Sequence, residues 1–233
     1  MSTTRMTGLR VLSTLAVMGA MRELAALYET RTGIAVEADF APTVALLERL
    51  RMGEAADIAI LTAQGIDDLV QQGVIRPGTR TDIALSFVGI AVKAGAPRPD
   101  ISSVAAFRIA LLSARSVAYS KIGASGLYFA GLIERLGIAA EVNARAVIVP
   151  SGFTAERLVS GEVELAVQQI SELMVIPGVD IVGPLPAEIQ TAATFSAGLL
   201  VGSEHAEDAI ALLEFLASPP VASVLRRAGL EPV

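Results

Sequence analysis

This sequence predicts an α/β chain folded as two lobes, with two strands crossing between them. Three observations lead there. An apolar run followed by an amphipathic stretch occurs three times between residues 9 and 73, and each amphipathic stretch stops at a glycine. A second series of the same kind occupies residues 104–174. Two longer apolar runs with an internal glycine, Ile83–Lys93 and Thr194–Val201, flank that second series. Strands alternating with helices form parallel sheets, and the two flanking runs read as the strands that leave and re-enter the first lobe. The boundaries that follow are residues 1–84 with 192–233 for lobe one, and 85–191 for lobe two.

Bulk properties fit this. The 233 residues suffice for one large or two small α/β domains. Hydrophobic residues make up 53% and aromatics only 4%, so the core must be aliphatic. A net charge of −6 argues against nucleic acid, which needs a basic face. It leaves room for a small anion, because local N–H dipoles outweigh distant surface charge. With no cysteine there is no disulfide, thiolate nucleophile or Cys-based metal site. The lone histidine, His205, starts a polar helix in GSEHAED and reads as a surface or capping residue. No metal and no cofactor are expected.

The elements justify themselves in order. Leu9–Thr14 is an apolar strand; small residues follow to Gly19, then a helix with Met21, Leu24, Ala25 and Tyr28 on one face, ended by Gly33. Ile34–Ala38 is a strand, Pro42 and Thr43 start the helix Val44–Met52, and Ala56–Leu61 is a strand before the helix Gln64–Gln72. Past Ile83–Lys93, the loop AGAPRPD leads to Ser102 or Ser103, either able to cap the helix Val104–Leu112. Lobe two continues with strand Ser116–Tyr119, helix Leu127–Leu136, strand Ala146–Val149, helix Ala155–Ser160, strand Glu164–Gln168 and a short helix Ile170–Met174. Val179–Val182 precedes a rigid Gly-Pro-Leu-Pro turn, and the helices Ala206–Ala217 and Pro220–Ala228 complete lobe one.

In parallel α/β sheets, ligands sit beyond the carboxyl ends of the strands, where helix N-termini point their free N–H groups. Four strand-to-helix turns are small, hydroxyl-bearing or glycine-rich: Leu15–Met18, Ala41–Thr43, Gly123–Gly126 and Ser151–Thr154. Two fall in each lobe, and a cleft between the lobes is the expected site. The candidate ligand-binding residues are Ala16, Val17, Thr43, Lys121, Ser125, Gly126, Ser151, Gly152, Phe153, Gln168 and Gln169. Thr154 adds a hydroxyl. Each such turn also reads as ordinary capping, worth about 1 kcal/mol. Lys121 reads equally as a carboxylate partner or a solvated loop lysine. Tyr128 and Phe129 read as core, and Asp57 and Glu48 as surface or strand-edge residues.

Four segments, AMRELAALYETRTGIAVEADFA, GEAADIAILTAQGIDDLVQQGVI, GASGLYFAGLIERLGI and ALLEFLASPPVASVLRRAGLEPV, span nearly the whole chain. In them the sequence resembles type II solute-binding proteins, in particular the periplasmic molybdate-binding family. The resemblance implies a two-lobed type II periplasmic-binding-protein-like fold. It places the family's first-turn serine on Ala16, its second on Thr43, its third small residue on Ser125, its fourth turn on Ser151 or Gly152, and its late tyrosine on Gln169. Loss of the first serine and the tyrosine points away from molybdate, toward a larger ligand with carboxylates and hydroxyls.

VQQISEL with VGPLPAEIQ is similar to an aconitate-isomerase-like branch of that family. Two functions follow as expectations: binding of a small organic acid or oxyanion, or isomerisation of a tricarboxylate by proton transfer. The second needs an acid–base group; Lys121, Tyr119, an activated serine or a substrate carboxylate are the candidates, and no catalytic residue is assigned. Arg5 and Arg10 before Val11–Met21 imitate an export signal, but the helical pattern runs through the supposed cleavage point. The expected location is therefore cytoplasmic, the alternative being periplasmic with a trimmed signal and, only then, a transporter partner. No run long enough to span a membrane is present.

Overall fold

The structure, a computed structural model, describes residues 8–233; Arg5 lies outside the described residues. The chain separates into two compact units, one running to Leu85 and resuming at Thr194–Val233, the other Ser86–Ala193.

The first unit opens with strand β1 (Leu9–Thr14), a single 3-10 turn at Leu15–Val17, and helix α1 (Met18–Thr32). Gly33 ends α1 in the left-handed region at φ 75°, its N–H returning to the Glu29 carbonyl, a conformation that costs glycine nothing. There follow β2 (Val36–Ala41), α2 (Thr43–Arg51), β3 (Ile58–Thr62), α3 (Ala63–Gln71) and β4 (Thr81–Ser86). The second unit contains β5 (Val88–Lys93), α4 (Val104–Ser113), β6 (Val117–Ser120), α5 (Ala124–Arg135), α6 (Ala139–Asn143), β7 (Ala146–Val149), α7 (Ala155–Val159), β8 (Leu165–Gln169), α8 (Ile170–Leu173) and β9 (Val179–Pro184). The chain returns to the first unit through β10 (Ala193–Leu199), then α9 (Ala206–Leu216), α10 (Ala222–Arg227) and the two-residue strand β11 (Glu231–Pro232).

Among the described residues the first unit holds a six-stranded sheet in the order β11-β4-β10-β3-β1-β2. Strands β2 and β3 run parallel to β1, and β10 runs antiparallel to β3. The second holds a five-stranded sheet, β7-β6-β8-β5-β9. There β7 and β8 are parallel to β6, while β5 is antiparallel to both β8 and β9. The mixed pattern follows from the connections. Strand–helix–strand units give the parallel pairs, and the strands that enter and leave each unit supply the antiparallel ones.

Packing is aliphatic, as the composition requires. Leu12, Leu46, Leu61, Ile66 and Leu69 are fully buried together in the first unit. Phe107, Leu111, Tyr119, Phe129 and Ile133 fill the second. Each such side chain contributes about 1.5–3 kcal/mol of burial.

Three expectations change. Ile83–Lys93 is not one strand: it breaks at Phe87, and its halves belong to different sheets. A strand can hydrogen-bond into only one sheet at a time, so the crossing falls in the break. Helix α5 begins three residues earlier than the pattern indicated, so Ala124–Gly126 form its first turn. Helix α6 and strand β11, too short to show a period, were not expected.

Candidate anion-binding site

Each unit by itself gathers polar side chains where its parallel strands end. In the first, Ser13 and Thr14 finish β1 and are buried; half-buried Thr62 finishes β3 and caps α3 by accepting the Gly65 N–H at 3.2 Å. In the second, Ser120 closes β6, Gln168 and Gln169 close β8, and Ser125, Thr154 and Ser171 open the helices that follow; all are buried. These are the ends to which helix N-termini point.

The helix starts differ in how their first N–H groups are treated. Helix α3 is capped by Thr62 and α4 by Ser103, which accepts the Ala106 N–H. Helix α9 has no side-chain cap but carries Glu207 and Asp208 in its first turn, which complement its dipole. The Leu15–Val17 turn that leads into α1, and the helices α2 and α5, have neither a side-chain cap nor an acidic first-turn residue among the described residues. Free N–H groups with an uncompensated positive end are what an anion uses.

The expected site residues occupy defined places in these turns. Ala16 and Val17 lie in the turn before α1, both buried. Thr43 is the first residue of α2, half-buried, and its hydroxyl does not cap the helix. Lys121 is exposed in the turn after β6. Ser125 and Gly126 are buried in the first turn of α5. A Cβ on Gly126 would stand 1.5 Å from the Ser120 carbonyl oxygen, so the glycine lets α5 rest directly on the end of β6. Ser151 is exposed, Gly152 sits at φ 81°, and Phe153 is buried.

Gln168 faces its own unit. Its carbonyl oxygen accepts the Thr154 N–H at 2.8 Å and the Thr154 hydroxyl at 3.0 Å, and its amide N–H donates to the Gly152 carbonyl at 3.2 Å. The turn before α7 is thus stitched to β8. Gln169 accepts the Ser86 hydroxyl at 2.9 Å, and Ser86 also meets the Ser171 hydroxyl at 3.3 Å.

Two acidic residues take buried positions. Asp57 is buried beside the first residue of β3, which agrees with the strand-edge alternative of its reading and not with the surface one. It accepts the Arg10 N–H at 2.8 Å and the Ser203 hydroxyl at 2.6 Å, with His205 Nδ1 at 3.2 Å. His205 is therefore tied to the amino end of β3 and stands at the N-cap position of α9, the capping alternative of its reading, though its side chain makes no cap hydrogen bond.

Glu172 is not among the residues that the sequence pattern marks. It is 7% exposed, and its Oε2 accepts the Gln169 N–H at 3.2 Å. Burial pushes its carboxyl up to about 7, against the opposing effect of the Gln169 N–H and the Gln168 side chain. The Gln-x-x-Glu spacing from Gln169 is a capping-box pattern and was the available signal. Among the described residues no group of three or more His, Asp or Glu is placed to hold a metal ion. No single described helix is long and apolar enough to cross a membrane.

The family model described as bacterial extracellular solute-binding protein matches residues 9–231. The chain belongs to that family. A curated relative, an aconitate isomerase from a Pseudomonas species, is 38% identical over 233 residues, covering 97% of this chain and 88% of its own. The periplasmic molybdate-binding protein of Azotobacter vinelandii superposes with a TM-score of 0.81 at 19% identity, over 95% of this chain and 98% of that one. A periplasmic thiamin-binding protein gives 0.78 at 16% identity, over 99% and 85%. The chain thus has the type II periplasmic-binding-protein architecture, an α/β fold with two mixed sheets. The expected cytoplasmic location is overturned: the family is extracellular by description and the structures sharing its fold are periplasmic.

Proposed function

We propose that this solute-binding-family chain acts in the periplasm as an isomerase of an aconitate-like tricarboxylate. The observation that carries this is the 38% identity, across 97% of the chain, to an aconitate isomerase. The low-identity structural likenesses speak for the fold and leave the ligand open. The uncapped starts of α1, α2 and α5 support an anionic ligand with several charged groups.

In this reading each unit offers its own turns to receive carboxylates. The backbone N–H groups of Ala16 and Val17 and the Thr43 hydroxyl do so in the first unit, and the first turn of α5 with Ser125 and Gly126 does so in the second. Lys121 supplies a point charge at the rim, and Ser151, Gly152 and Phe153 shape the neighbouring turn. Gln168 and Gln169 hold that turn and the end of β8 in register. Moving the double bond requires removing a proton beside a carboxylate and returning it further along the carbon chain. The intermediate spreads negative charge over carboxylate oxygens, which preoriented N–H groups stabilise.

The test is incubation of cis-aconitate with the protein in heavy water, followed by proton NMR. Trans product with deuterium at carbon is expected. A panel of di- and tricarboxylates, molybdate and tungstate, read by thermal shift, runs beside it. A tricarboxylate present at 100 times its Kd raises stability by about 2.7 kcal/mol. Stabilisation without isomerisation or exchange would leave a tricarboxylate binder, the reading favoured by the family's solute-binding members. A shift with molybdate alone would sink both.

A further inference from the structure

We propose that Glu172 is the acid–base residue of this site, taking a proton from one carbon of the bound tricarboxylate and returning it to another. The assignment rests on the isomerase reading and adds to it the group that performs the chemistry.

Position comes first. Among the described residues Glu172 is the buried carboxylate of the second unit, and it stands at the carboxyl end of β8 with buried Gln168, Gln169 and Ser171. Helix α8 is seated there by Gly89: a Cβ at that position would lie 2.5 Å from Ile170 Cγ1 and 2.9 Å from the Gly183 carbonyl oxygen. The helix therefore lies close over β5, and Glu172 is held by the Gln169 N–H.

Charge comes second. Helix α8 packs against β5, β8 and β9. Strand β8 carries no titratable residue. Lys93 on β5 and Asp180 on β9 pair with Val179 and Val92, at the opposite end of the sheet from the Val88–Gln169 pair. The groups on Glu172 are thus neutral donors. A buried carboxyl without a cation exchanges its proton near neutral pH, the condition for acid–base work there.

The engagement of the His, Tyr and Lys side chains comes third. The chain has no cysteine. His205 is bound to Asp57 in the first unit. The Tyr119 hydroxyl donates to Asn143, that of Tyr128 to the Ile189 carbonyl, and that of Tyr28 to the Asp208 carbonyl. Lys93 donates to the Val159 carbonyl. Lys121 is exposed and remains a carboxylate partner.

The step balances without a co-reactant. The Glu172 carboxylate removes a proton from the methylene carbon of the tricarboxylate. The C–H electron pair forms a double bond to the central carbon, and the original double bond opens toward the former vinylic carbon. Protonated Glu172 gives its proton to that carbon. The double bond has moved one position, its geometry is set anew, and the carboxylate is restored.

The test uses the full chain with Glu172→Gln and Glu172→Asp, read by isomerisation, by deuterium incorporation and by the thermal shift with trans-aconitate. Glu172→Gln is expected to lose about 10²- to 10⁴-fold in rate while the thermal shift persists, a split that a merely structural role would not produce. Glu172→Asp keeps measurable exchange. In the wild type, kcat rises through an ionisation between about pH 6 and 8. Exchange by Glu172→Gln within about threefold of wild type overturns the assignment and leaves the isomerase reading standing. So does a flat wild-type profile across that range, a measurement that does not depend on the Gln variant folding. Absence of any exchange by the wild type overturns both.

Discussion

The residue that most changes meaning in three dimensions is Asp57. In sequence it is an acid beside a strand; in the fold it joins three segments through Arg10, Ser203 and His205. Its buried carboxylate satisfies the Arg10 N–H near the start of β1 and a hydroxyl in the turn before α9, both hydrogen bonds being part-buried. Removing an acceptor from part-buried donors leaves their desolvation partly uncompensated. Asp57→Ala is expected to destabilise by about 2–4 kcal/mol, seen as a lower urea midpoint with an unchanged slope. Asp57→Asn keeps one good acceptor and should cost roughly half as much. Equal midpoints for the two variants would show that the polar links contribute little.

At the scale of elements, helix α5 is placed by one glycine. Gly126 lets the helix rest on the Ser120 backbone, and a Cβ 1.5 Å from that carbonyl oxygen cannot be absorbed by a side-chain rotation. Gly126→Ala should therefore cost more than the roughly 1–3 kcal/mol of ordinary overpacking. Gly131 lies in the same helix, and its nearest neighbour for an added Cβ is Arg135 Nη1 at 3.5 Å. Gly131→Ala should stabilise by about 0.5–1 kcal/mol through helix propensity. Chemical denaturation of the pair separates packing from propensity; similar effects in both would refute the close approach. The same distinction explains what could be read from the sequence. Strands such as Leu9–Thr14 and helices ending at Gly33, Gly73 or Gly137 were legible because burial period and capping are local properties. The glycines inside Ile83–Lys93 and Thr194–Val201 were visible, but not their purpose, which is to admit Ile170 over β5 and Ile75 over β10. The break at Phe87 and the burial of Glu172 depend on partners more than 80 residues away for the first and on the sheet beneath α8 for the second. No periodicity carries such information. The candidate turns could be named from their small residues; which helix starts are uncapped could not.

For the whole molecule, the ionisable groups divide into two sets with opposite pH dependence. Asp82 is held below the usual carboxylate range, first by the Arg80 hydrogen bond and also by the Ser196 hydroxyl. Its stabilisation is present above the unfolded pKa and is lost as pH falls through the lower folded value. Glu172 moves the other way, from the ordinary 4.5 to about 7 on burial. Between these two values the native state holds a proton that the unfolded chain has released, so stability falls as pH rises. The loss from this one group is on the order of 3 kcal/mol, complete once pH exceeds the folded value. The ligand-free protein is therefore expected to be most stable near pH 5 and weaker at pH 8, with the decline centred between these values. Net charge of −6 near neutrality, with a pI of about 4.9, pushes in the same direction through self-repulsion. Salt separates the two, because repulsion between exposed charges is screened beyond about 8 Å at 0.15 M while a buried carboxyl is not. Denaturation midpoints at high salt should keep most of the decline in wild type and lose it in Glu172→Gln. A decline of equal size in both proteins would assign it to surface charge and remove the support that pH dependence lends to Glu172.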